Sequence, residues 1–185
     1  GPLDALLRST VLSALGDYGD DDAMAEAKAR FAAYVDDAGS VHPDIRSVVF
    51  NLAAMRGDRA TYDTIWTLQK SSKLDEEKVR LLKSLTRFER PELLDETLER
   101  SLSEDVRVHE TIRVVVGVAS NRHGRDRAWE FVKANWTEFD RRYGEGGFAL
   151  MNLVSMTSRF TTNDRLEDVE RFFSDHPTPA ANRTI

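Results

Sequence analysis

Apolar residues recur along this chain at helical spacing, and no stretch of four to eight residues alternates as a half-buried strand would. Ile45, Val48, Val49, Leu52 and Ala53 follow i, i+3, i+4, i+7, i+8, a single stripe on one helix. His42-Pro43-Asp44 precedes it, with proline suited to the first helical position and an acid to the first turn. Trp129, Val132, Trp136, Phe139 and Tyr143 form a longer aromatic stripe, predicting one continuous helix that stops near Gly144-Glu145-Gly146-Gly147. The pattern predicts an all-α protein.

Breaker residues group these helices into pairs. Polar turns fall near Gly19, Gly57, Arg90, Gly124 and Thr162, at spacings of 38, 33, 34 and 38 residues. Before each turn stands a helix of small or branched apolar residues: Val11 to Leu15, Val48 to Ala54, Leu81 to Thr86, Val114 to Ser120 and Leu153 to Thr157. After each comes a helix with bulky anchors: Phe31 and Tyr34, Ile65 and Trp66, Leu94 and Leu98, Trp129 and Trp136, Phe172 and Phe173. Repeats of this length are characteristic of helical-hairpin arrays such as HEAT and armadillo, whose units bury their apolar faces only by stacking on neighbours. The expected fold is an α-solenoid of about five antiparallel helical hairpins, ten helices in all. Thr178-Pro179 is a good cap and first residue for an eleventh, with little chain left to complete it.

Composition narrows the function. The 185 residues carry 26 Lys+Arg against 32 Asp+Glu, a formal charge of −6, with 41% hydrophobic residues and no cysteine. Thiolate metal sites, cysteine nucleophiles and disulfides are therefore excluded. An acidic chain without a run of three basic residues argues against a nucleic-acid partner. The longest apolar stretch, Val114 to Ala119, is far short of the roughly 20 residues of a membrane span. Gly1-Pro2 reads as the scar of a purification protease, with residues 3–185 forming a single domain cut from a larger protein. The cytoplasm is the expected compartment, although a piece of this kind carries no information about its parent's N-terminus.

Candidate chemistry is sparse. Val108-His109-Glu110-Thr111-Ile112-Arg113 begins like the zinc motif H-E-x-x-H but places Arg113 where the second histidine must stand, and a guanidinium cannot coordinate a cation. This string reads as a solvated helix start. His42, His123 and His176 lie at turns, with no second ligand at metal spacing. The glycines near residue 144 lack the lysine and spacing of a phosphate loop, and no serine sits in a nucleophile elbow. Asp20-Asp21-Asp22 and Glu76-Glu77 read as solvated helix starts favoured by the dipole. The sequons at Asn135 and Asn182 read as chance matches, and the aromatic stripes as core rather than as a ligand cage.

The segment from Ala119-Ser120-Asn121 through Gly124-Arg125 and Ala128-Trp129 to Asn135-Trp136 resembles the C-terminal helical domain of zinc aminopeptidases. The group is that of the puromycin-sensitive, endoplasmic-reticulum and alanyl aminopeptidases. Leu7-Arg8-Ser9, Arg142-Tyr143-Gly144, Ser158 to Thr162, Phe172 to Pro177 and Ala181 to Ile185 extend the resemblance in order along nearly the whole chain. It implies a HEAT-like domain that closes a chamber over a separate catalytic domain, with that domain and peptide substrates as its partners. Zinc, held in the family by H-E-x-x-H and a downstream Glu, would belong to the catalytic domain. Neither that motif nor the amine-binding G-x-M-E-N matches here, so no catalytic or metal-binding residue carries over and the chain by itself should be no enzyme. A peptide's carboxyl end calls for cations, and His109, Arg113 and Arg159 are the candidate contacts. Two other readings stay open: a stand-alone helical-repeat module for protein interaction, and the domain of an aminopeptidase-like adaptor that has lost catalysis.

Overall fold

The computed structural model describes residues 10–16, 18–144 and 148–178. Among these every regular element is helical. Helix α1 (10–16) is followed by α2 (Asp21–Asp36), α3 (Pro43–Met55), α4 (Arg59–Ser71), α5 (Asp75–Leu85) and α6 (Pro91–Ser101). Then come α7 (Val108–Ser120), α8 (Arg125–Ala134), α9 (Trp136–Tyr143), α10 (Phe148–Val154) and α11 (Asn163–Asp175). Short 3-10 turns occupy Ala38–Ser40 and Ser155–Arg159. The chain divides into two compact units, Gly1–Leu93 and Leu94–Ile185, with the division falling inside α6.

Caps start the helices where the sequence offers them. Asp20 accepts from the Ala23 amide at 2.8 Å, Asp58 from that of Thr61 at 2.9 Å, and His42 Nδ1 from that of Asp44 at 3.3 Å, each meeting one of the orphan donors of a first turn. Gly19, at φ 78°, makes the left-handed turn into α2 that a side chain would resist.

In the first unit α2 packs on α3, α4 on α5, and α3 on α5, so hairpins stack in chain order as in an α-solenoid. The predicted stripe of α3 is buried at Val48, Val49, Leu52 and Ala53, and Phe50 and Ala54 are fully buried as well. Two apolar faces are needed because α3 lies against both α2 and α5. Phe50 meets Phe31 and Tyr34 edge-on, at centroid distances of 5.9 and 4.8 Å, and Tyr62 meets Phe88 at 5.3 Å.

In the second unit α7 packs on α8 and α10, and α10 on α9. Trp129 is the hub: Phe160, Phe172 and Phe173 surround it at 5.3 to 6.2 Å, while Trp136 meets the same two phenylalanines of α11. These rings are core, as the stripe implied.

Two expectations need amendment. The helix predicted from Trp129 to Tyr143 is broken at Asn135, whose φ and ψ of −114° and 18° leave the helical basin. Its side chain donates to the Phe131 carbonyl at 2.9 Å, the local competition by which asparagine ends helices. Eleven α-helices therefore stand among the described residues where ten were expected before Thr178. The helix expected from Thr178 onward lies outside the described residues, apart from Thr178 itself, which is buried.

Candidate functional site

The sequence-nominated cations lie in the second unit. His109 is the second residue of α7 and is largely exposed; its Nε2 stands 3.4 Å from Glu110 Oε1. Arg113, one turn further, donates from Nη1 to Glu110 Oε2 at 2.8 Å. Glu110 is 7% exposed and holds both neighbours, so His109 and Arg113 form one cluster around a buried carboxylate. The helix start is solvated at Val108, His109 and Arg113 as expected, and the buried Glu110 carboxylate is the exception. Arg159, exposed, closes the 3-10 turn that packs against α7, and no ion pair or hydrogen bond among the described residues joins it to that cluster.

Glu77 departs from its expectation in the same way. It is 3% exposed, accepts from Tyr34 Oη at 2.8 Å and from Arg80 Nη1 at 3.0 Å, and lies 3.5 Å from Arg46 Nη1. Burial, and then the bond to Glu77, push the Tyr34 phenol up to about 12. Every charge there has a partner, and the network is structural.

Beside the aromatic core, α8 and α11 are clamped through Asp168. It accepts from Trp129 Nε1 at 2.7 Å and from Lys133 Nζ at 2.8 Å, while Arg165 binds Asp126 and Glu130 at 3.0 and 3.1 Å. The bond from Lys133 holds the Asp168 carboxyl below its usual range, against burial and with help from Trp129. Burial opposes the charge on Lys133, yet its bonds to Asp168 and Glu130 outweigh that and raise its pKa. Groups so fully engaged hold helices together; they are not poised to exchange protons. Sequence could not show this, since Trp129 and Asp168 are 39 residues apart.

A groove of about 590 Å³ opens between α6 and α8. Leu98, Phe131 and Ala134 give it apolar walls, and Asp95, Glu99, Asp126 and Glu130 make it acidic, with Arg127 paired across it to Asp95. That charge disfavours a carboxylate ligand. Among the described residues no group of three or more His, Cys, Asp or Glu side chains could hold a metal ion, and no helix is long and apolar enough to cross a membrane. Glu110 with His109 and Arg113 offers too few donors for zinc, so no step is derived through a metal here.

The family model for the ERAP1-like C-terminal domain matches residues 1–185. The chain belongs to that family. It is 33% identical over 192 residues to Aminopeptidase M1-A of Oryza sativa subsp. japonica, covering all of this chain and 21% of that protein. It is 29% identical to Aminopeptidase M1 of Arabidopsis thaliana, covering 99% of this chain and 21% of that one. With Aminopeptidase N of Homo sapiens it shares 28% identity over 74% of this chain and 14% of the relative. The domain thus spans about a fifth of the length of the M1-type relatives it matches.

Proposed function

We propose that the chain is the non-catalytic C-terminal domain of a zinc-dependent aminopeptidase, covering the substrate chamber and positioning the peptide while zinc chemistry proceeds in the catalytic domain. The observation that carries this is a family match along the whole chain combined with coverage of only a fifth of aminopeptidase relatives. Helices that pack on their chain neighbours within each unit suit positioning and water exclusion. His109, Arg113 and Arg159 are the proposed peptide contacts; all three are exposed, and the buried Glu110 holds the Arg113 guanidinium through Nη1.

The parent enzyme, intact and with residues 3–185 deleted, tests the proposal. Bound zinc should stay at one per chain in both, while the deletion variant should lose its dependence on peptide length and at least tenfold in kcat/KM for a nonapeptide relative to an aminoacyl anilide. Equal losses on both substrates, or release of zinc by the deletion, would sink the positioning role.

A further inference from the structure

The groove between α6 and α8 has no part in the peptide contacts proposed above. Asp95, Leu98 and Glu99 line it from α6 at i, i+3 and i+4, and Asp126, Glu130 and Ala134 from α8 at i, i+4 and i+8, so each wall is one face of a helix. At about 1.5 Å per residue the α8 wall is about 12 Å long, room for roughly three or four residues of extended chain. Leu98, half-buried Phe131 and exposed Ala134 supply its apolar surface.

Its charges do not balance. Arg127 reaches Asp95, which shows that the rim accepts a guanidinium. Arg165 holds Asp126 and Glu130 at 3.0 and 3.1 Å and Lys133 holds Glu130 at 3.1 Å, but both cations also serve Asp168, at 3.7 and 2.8 Å. Glu99 is exposed and makes no hydrogen bond or ion pair through its side chain among the described residues. Five carboxylates, Asp95, Glu99, Asp126, Glu130 and Asp168, thus face three cations, a surplus of two negative charges. Apolar surface beside an acidic rim suits a lysine or arginine whose stem lies on the apolar ground while its head meets a carboxylate.

A free partner would gain too little here. Stable complexes bring together roughly 20 to 30 residues a side, and this groove is walled by eight described residues. A tethered segment escapes that requirement, since a short flexible linker supplies an effective concentration on the order of millimolar. The chain spans about a fifth of its M1-type relatives, so a parent of that size carries much tethered sequence outside these residues. We propose that the groove between α6 and α8 docks a short segment of the parent protein, outside these 185 residues, in which a lysine or arginine is flanked by apolar side chains. The proposal rests on the reading of the chain as one domain of a longer enzyme, and it names a surface through which that domain is held.

These 185 residues contain no cysteine, so Ala134→Cys puts a single thiol on the apolar wall of the domain. Its labelling by a maleimide, read by peptide mass spectrometry, is compared between the isolated chain and the parent. At low ionic strength the thiol should react about tenfold more slowly in the parent, and high salt should erase most of the difference. Taken relative to the same variant of the isolated chain, Glu99→Lys should restore the fast rate and Glu99→Gln part of it. Neither removes a side chain with a partner inside the domain, so the melting temperature should hold. Equal rates in parent and isolated chain, or protection unmoved by Glu99→Lys, would overturn the proposal. Protection that grows with parent concentration assigns the groove to a second copy, and protection that needs an added arginine-containing nonapeptide assigns it to substrate; either result overturns it too. Aminopeptidase activity is measured on the same parent. Activity with an unprotected thiol removes the docking and keeps the proposed function, whereas protection without activity does the reverse.

Discussion

At the scale of single residues, the side chains that depart from a simple reading are acids at helix starts. Glu77 and Glu110 occupy first turns, where a carboxylate complements the helix dipole and is ordinarily solvated, yet both are buried. For Glu110 the signal was present in the sequence, as Arg113 stands at i+3. For Glu77 it was not, because the deciding donor, Tyr34, comes from 43 residues away. That bond gives a pH signature. The phenol's native pKa, raised from 10.0 to about 12, means that the unfolded chain releases this proton first as pH rises. The stability contributed is therefore whole below pH 10 and is lost as pH climbs towards 12. Urea denaturation should show Tyr34→Phe costing about 1 kcal/mol at pH 7. Between pH 10 and 12 the gap between variant and wild type should narrow; a constant gap across that window would show that the bond is not linked to the titration.

At the scale of elements, each of the five hairpin turns was legible from glycine, proline and polar punctuation, since these residues set backbone geometry locally. The break at Asn135 was not. Trp129, Val132, Trp136, Phe139 and Tyr143 are all buried on either side of it, so the apolar period continues across a change of backbone conformation. Hydrophobic spacing reports which face is inside and is silent about whether the helix is continuous. The Gly124 turn offers the sharpest test at this scale. A Cβ there would lie 2.6 Å from both Val118 Cγ1 and the Val118 carbonyl oxygen, one of them immovable backbone. Gly124→Ala should therefore destabilise the chain by about 1 to 3 kcal/mol in chemical denaturation, as overpacking does. An unchanged midpoint would mean that α7 and α8 approach each other less closely than described.

At the scale of the whole chain, the family and the hairpin array were readable because both are written in local patterns repeated many times. The clamp on Asp168 was not, for its donors Trp129 and Lys133 lie 39 and 35 residues away along the chain. The division into two units is likewise invisible in the turn spacing, since it falls within α6 and not at a linker. Trp66 reports on the first unit, Trp129 and Trp136 on the second. In a Trp66→Phe variant, whose fluorescence reports on the second unit alone, the urea midpoints by fluorescence and by far-ultraviolet circular dichroism should separate. Coincident midpoints would show that the units melt as one.

That division has a consequence on the ribosome. At roughly 5 to 20 residues per second, residues 94 to 185 take on the order of 5 to 18 seconds to synthesise, whereas locally connected helical units fold within about milliseconds. A first unit that folds on its own therefore has time to finish while the second is still emerging.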